Sequence, residues 1–121
     1  MSRNRGIQRG DVYCIDPNPI SGREMKDQHH FVVISPKEIN ALGIAMTVPI
    51  TSGGKFSRDM GLTVPITGHD TTGVAVCNQV RSFDIEARVK ASSAKYIEKL
   101  DVTIIDEIVN RVISILDPED D

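Results

Sequence analysis

Apolar residues in this chain come in short bursts separated by polar, glycine-containing stretches. Val12 to Asp16 and Phe31 to Ser35 are rich in β-branched and aromatic residues and predict strands. Ile44 to Ile50, Gly61 to Ile66 and Gly73 to Cys77 predict three more, and Val80 to Val89 a bend followed by a strand. Between Ser35, a suitable N-cap, and Gly43, a suitable stop, Pro36 to Leu42 predicts a short helical turn. The period then changes. From Val102, apolar residues recur at Ile105, Ile108, Val109, Val112, Ile113 and Leu116, the spacing of one helical face. Asp101 suits the N-cap and Pro118 follows the end. Ile104 and Ile115 widen the stripe beyond what packing on a sheet requires, and a dimer contact would use the excess. Short strands closed by one helix predict a small curled sheet or barrel of the α+β class.

The polar stretch Pro17 to His30 is long for a loop in so small a domain, which points to function or mobility. It places Arg23, Glu24, Lys26, His29 and His30 close together, so groups that move protons sit beside groups that bind phosphate. Thr51 to Phe56 is a second loop, with two glycines, and Thr67 to Asp70 is a turn whose His69 is expected to be solvated.

With 121 residues the chain predicts one domain and one core. No apolar run approaches the ~18 residues that span a membrane. The charged first residues lead into no apolar segment, so no secretory signal is predicted and a cytoplasmic location is expected. Cys14 and Cys77 both fall in apolar strands, which favours buried free thiols over a disulfide. Two cysteines and three histidines without ligand spacing do not make a zinc site, and no metal or cofactor is expected. The net charge of −3 is uneven: residues 101–121 hold seven acids against Arg111 alone. The rest of the chain is therefore mildly basic, which permits nucleic-acid binding without demanding it.

The motifs, in order, resemble the MazF/PemK toxins of bacterial toxin–antitoxin systems. The residues that carry the resemblance are Arg9-Gly10-Asp11-Val12, Asp16-Pro17, Gly22-x-Glu24, Val32-Val33-Ile34-Ser35, Val48-Pro49-Ile50-Thr51-Ser52-Gly53-Gly54 and Gly73-Val74 followed by Asn78-Gln79-Val80-Arg81-x-x-Asp84. Each is weak alone, and together they cover about Gly10 to Arg88. The Asn78-Gln79-Val80-Arg81 form is most similar to the ChpB-like branch. The resemblance implies an SH3-like small β-barrel of the CcdB/PemK type with a C-terminal helix, usually a homodimer. It implies a metal-independent endoribonuclease that cuts single-stranded RNA to 2′,3′-cyclic phosphate and 5′-hydroxyl ends. It also implies a MazE-like antitoxin whose acidic tail covers the RNA groove.

Such cleavage needs a base for the 2′-hydroxyl, an acid for the departing 5′-oxygen and groups that stabilise the charged phosphorus centre. By resemblance Glu24 is the base. Family members follow with Arg-Pro where this chain has His29-His30. A histidine can donate a proton near neutral pH but cannot hold phosphate bidentately as arginine does. His29 is the candidate acid, and strand alternation puts it on the opposite face from His30. Thr51 matches the family's hydroxyl residue, with Ser52 beside it in a turn. Gln79 either reads RNA or serves its own sheet; Arg81 either supplies positive charge or pairs with Asp84. Arg23, Lys26, Lys55 and Arg58 are read as backbone contacts or solvated loop charges, and Phe56 as a stacking platform or a loop anchor.

Two departures matter. The PemK branch carries an arginine and an aspartate where this chain has Val76 and Asn78, so that acid–base pair is missing. CcdB-like proteins share the architecture and bind DNA gyrase without cutting anything, so a non-enzymatic toxin is the alternative. A third reading, an SH3-like peptide module, fits poorly with a chain that has no tryptophan and two tyrosines.

Overall fold

The computed structural model describes residues 6–17, 29–52 and 59–119. In chain order it contains β1 (Asp11–Ile15), β2 (His29–Val33), α1 (Lys37–Asn40), β3 (Ala45–Thr51), β4 (Thr63–Ile66) and β5 (Gly73–Val76). There follow β6 (Arg81–Phe83), α2 (Ile85–Lys90), β7 (Ala94–Lys99) and α3 (Val102–Leu116). The strands form one antiparallel sheet in the order β4-β5-β3-β2-β1-β7, with β6 paired to β3 beyond β5. The α+β class is as expected. The hydrogen-bonded ladder does not close into a barrel: β4 and β7 stand at its two ends.

The sheet buries both faces, which is why its central strands read as continuous apolar runs rather than as alternation. Val12, Val32, Val48, Ile50, Val64 and Ala75 face α3. Tyr13, Ile15, Phe31, Val33 and Ala45 face the other way, toward Phe83 and Ile85. In that second core Phe31 and Phe83 meet edge to face, with centroids 4.9 Å apart, worth about 1 kcal/mol beyond the area they bury.

α3 is capped by Asp101, whose carboxylate accepts from Ile104 N–H. It packs through Ile104, Ile105, Ile108 and Val112. Val102, Ile113 and Leu116 are left outside. The stripe is broad enough to offer two faces, and the sheet takes the one centred on Ile108, which includes Ile104 and the half-buried Ile115. Gly10 fixes how closely the helix sits. A Cβ there would lie 2.0 Å from Ile105 Cδ1, and its φ is +95°. Its N–H donates to Val33 and its carbonyl accepts from Leu100, which joins β2, β7 and α3 at one residue.

Several expectations are corrected. β2 begins at His29, so both histidines belong to a strand and not to the loop. Val80 to Val89 holds the three-residue β6 and then α2, whose N-cap is Asp84. β7 had no expected counterpart. Pro36, not Ser35, caps α1; the Ser35 hydroxyl bonds to Asn40 and accepts from Met46 N–H. Cys14 and Cys77 are not joined in a disulfide, the first being half-buried and the second buried, and burial pushes the Cys77 thiol up to about 11.

His69 is not solvated. Its Nε2 lies 2.7 Å from Asp101 Oδ1 and its Nδ1 3.2 Å from Glu98 Oε1. Glu98 also accepts from Thr71 N–H at 2.6 Å. The cluster ties the turn after β4 to the β7–α3 junction. The bond to Asp101, helped by Glu98, raises the imidazole above its ordinary 6.5 against the opposing effect of burial. His69 lowers Asp101; burial would raise Glu98, but its bonds from Thr71 and His69 outweigh that and lower it. A raised histidine binds its proton more tightly in the fold, so its contribution is complete below 6.5 and is lost as pH rises through the folded value. The lowered carboxylates add stability above their ordinary 4.5 and 3.8 and lose it in acid.

Wild type is therefore expected to lose more stability than His69→Gln between about pH 5.5 and about pH 8 in urea titrations. Parallel losses in the two proteins would show that the cluster does not hold the turn. Gly73 gives a second test. Its φ is +120° and a Cβ would stand 2.6 Å from the Thr51 carbonyl oxygen. Gly73→Ala should cost about 2–3 kcal/mol, read as a lowered urea midpoint with an unchanged slope.

Candidate functional site

The second face of the sheet brings His29 and Thr51 to one end. β1 pairs Ile15 with His29, and β2 pairs His30 with Ile50. One further step along the same register sets His29 beside Thr51, and Thr51 pairs in turn with Val74. Paired residues share a face, so Ile15, His29, Thr51 and Val74 form one row across four strands. His30 lies on the opposite face with Ile50 and Cys14, as alternation requires. His29 and Thr51 are half-buried, and Ser52, just beyond the strand, is exposed.

β3 creates the other part of the site. Ile50 pairs with Ala75 and Thr47 with Arg81. Two residues of β3, Val48 and Pro49, thus face the five residues 76–80 of the neighbouring chain segment. The Ile34 N–H bonds Met46 carbonyl, so the even residues of β3 turn their backbone groups to β2 and the odd ones to β5 and β6. Pro49 is an odd position and has no N–H to offer there. The neighbouring segment leaves the ladder at that point and makes a turn, closed by Gln79 N–H on the Val76 carbonyl at 3.2 Å. Asn78 and Gln79 are carried outward and exposed. The segment rejoins the ladder at Arg81, whose carbonyl accepts from the buried Thr47 hydroxyl at 2.9 Å.

Arg81 does not pair with Asp84, whose carboxylate is used at the N-terminus of α2, accepting from Ala87 N–H at 3.0 Å. Its guanidinium instead lies 5.0 Å from the centre of the Phe83 ring. A second guanidinium, that of Arg88, lies 4.9 Å from the same ring and donates to the Asp16 carbonyl at 2.7 Å. Arg88 carried no signal in the sequence, since a basic residue in the last turn of a short helix is ordinary.

His29, Thr51 and Arg81 thus share one face, Arg81 four residues along β3 from Thr51, and Gln79 is exposed in the extruded turn. Arg23, Glu24 and Lys26 fall between Pro17 and His29, outside the described residues. Lys55, Phe56 and Arg58 fall between Ser52 and Asp59 and are outside them too. Both segments join the sheet at the His29–Thr51 row. No group of acids, histidines and cysteines suited to a metal is present among the described residues. A cavity of about 780 Å³ opens at the far end of the same face, lined by Tyr13, Ala45, Ile85 and Tyr96 among others. None of the candidate residues among those described lines it.

Known proteins match both sequence and fold. Endoribonuclease PemK of Escherichia coli is 32% identical over 119 residues, covering 96% of this chain and 86% of that protein. Endoribonuclease toxin ChpB of Escherichia coli strain K12 is 36% identical over 92 residues, covering 74% and 79%. Among solved structures, a MazE–MazF crystal structure from Deinococcus radiodurans superposes with a TM-score of 0.74, covering 93% of this chain and 96% of that one at 22% identity. The family model for the PemK-like, MazF-like toxin of type II toxin–antitoxin systems matches residues 8–116, nearly the whole chain, and the protein belongs to that family.

Proposed function

We propose that this toxin is a sequence-selective, metal-independent endoribonuclease that cleaves single-stranded RNA and thereby stops translation and growth. The observation that carries the reading is the placement of His29 beside Thr51 on one face, with Arg81 on that face and Gln79 exposed in the turn before it. A proton donor, a hydroxyl, a fixed cation and an amide are what an RNA phosphate and a neighbouring base require. The ribonuclease names of PemK and ChpB support it, and they leave the gyrase-binding alternative unfavoured.

In this mechanism Glu24 removes the 2′-proton and the 2′-oxygen attacks phosphorus. The bond to the 5′-oxygen breaks as His29 gives that oxygen a proton. The products are a 2′,3′-cyclic phosphate and a 5′-hydroxyl. Thr51 donates to a non-bridging oxygen, and Arg81 offsets the developing charge that His29 cannot clamp. Gln79 reads a base edge. Ser52, Arg23, Lys26, Lys55 and Arg58 hold the RNA backbone, and Phe56 stacks on a base.

The working toxin is a cytoplasmic homodimer held by a cognate MazE-like antitoxin when silent. Val102, Ile113 and Leu116, exposed on α3, offer apolar surface to a second copy. The MazE–MazF complex among its structural neighbours supports the antitoxin.

Incubating the purified chain with a long RNA in EDTA should give discrete cuts with 5′-hydroxyl ends. Glu24→Gln should lower kcat by about 10²–10⁴-fold with the fold intact by circular dichroism. Turnover retained in that variant removes Glu24 as the base, and inhibition by EDTA overturns the metal-free mechanism. His29→Ala should slow cleavage about 10²-fold. An unchanged rate in that variant would mean that His29 does not transfer the proton.

A further inference from the structure

Asp16, the first residue beyond β1, is gripped at both of its backbone groups. Its N–H donates to the Ser93 carbonyl at 2.9 Å, and its carbonyl accepts from Arg88 Nη1 at 2.7 Å. The ring closes through Ser93, whose N–H and hydroxyl bond the Arg88 carbonyl at 2.8 and 3.2 Å. Three residues from the exit of β1, from α2 and from the turn after α2 are thus locked to one another.

The turn is built for this. α2 ends with Ser93 N–H on the Arg88 carbonyl and Ser92 N–H on the Val89 carbonyl, the paired bonds of a Schellman motif. Ser92 occupies the left-handed position that glycine usually fills, at φ 61°. That strained conformation aims Ser93 back at both Arg88 and Asp16.

The Arg88 side chain is fixed on its other side too. Its guanidinium lies over Phe83, and Phe83 meets Phe31 edge to face. A planar guanidinium can stack on a ring and donate in its own plane at once; an ammonium cannot. Both lines of contact reach the same residue. Asp16 follows Ile15, the register partner of His29, and Phe31 is two residues beyond His29 on the same face.

We infer that Arg88 is a positioning residue of the RNA-cleaving site. It holds the mouth between β1 and β2 and so sets where the His29 imidazole stands, without touching RNA. The consequence for catalysis rests on the ribonuclease reading; the coupling between Arg88 and His29 does not.

The test uses the full chain and the variants Arg88→Ala, Arg88→Lys, His29→Ala and the double variant Arg88→Ala with His29→Ala. Arg88→Ala should lower kcat by about tenfold or more while KM changes less than about threefold. Arg88→Lys, which keeps a donor but loses the plane, should recover part of the rate. In the double variant the loss should be no greater than that of His29→Ala alone, because the two residues act as one unit. Additive losses overturn the proposal. So does a raised KM at unchanged kcat, which would make Arg88 an RNA contact. A lowered melting point with full kcat per folded molecule would make it merely structural and also overturn it. The His29 ring signals in an NMR spectrum should move in Arg88→Ala and stay in place in Lys90→Ala, a change at an exposed residue of the same helix. Should the wild type cut no RNA, that spectrum still decides the coupling. Should Arg88→Ala fail to fold, Arg88→Lys carries every arm of the test.

Discussion

The missing N–H of Pro49 shapes this molecule more than any bond it makes. A central strand normally gives every backbone donor to a neighbour, and proline is excluded there for that reason. β3 keeps its ladder to β2 intact because Pro49 turns its vacant nitrogen the other way. On that other side the pairing breaks between Ile50–Ala75 and Thr47–Arg81. The break turns one potential long strand into β5, an exposed turn and β6. Gln79 is presented to solvent and Arg81 is returned to the sheet on the His29–Thr51 face. A residue with an N–H at position 49 would call for a partner and draw the turn flat. The cost of the missing bond is limited because the turn supplies a bond of its own, Gln79 N–H to the Val76 carbonyl.

The rest of the fold keeps that face rigid. One side of the sheet is closed by α3, seated close because Gly10 has no side chain to push against Ile105. The other side is only partly covered. Phe31, Phe83 and Ile85 fill its middle, while the His29–Thr51 row at one end is left half-buried. A site on strands with both neighbours paired is held more accurately than one on loops. The segments that carry Glu24 and Lys55, outside the described residues, join the sheet at that end.

How much of this the sequence disclosed follows from element length and charge. The first five strands were visible because β-branched runs bounded by turn residues leave few alternatives, and α3 because its fifteen residues allow a clear period. β7 escaped notice because it is the edge strand: Ala94-Lys95-Tyr96-Ile97-Glu98-Lys99 carries the charge that keeps an edge from pairing with another chain. α2 escaped notice because six residues are too few to show a helical period, and Asp84 reads equally well as an ion-pair partner. His69 looked solvated in its turn because its partners, Glu98 and Asp101, stand about thirty residues away. The family resemblance named His29, Thr51, Gln79 and Arg81, but a chain of letters cannot show that the first two share a row. Arg88 was invisible for the same reason: its carbonyl partner, Asp16, is 72 residues away.

Two guanidiniums at one aromatic ring repel each other, as like charges do. The fold resolves it by giving the two different surroundings. Arg88 is half-buried and donates to a carbonyl that cannot leave, because Asp16 is held by Ser93 as well. Its charge is spent on the protein's own backbone. Arg81 is exposed, and the ring face is its neighbour in the fold. Water screens it, so the repulsion between the two is small. The arrangement thus separates a cation held by the protein's own backbone from a cation left to solvent, with two residues of one type on one ring.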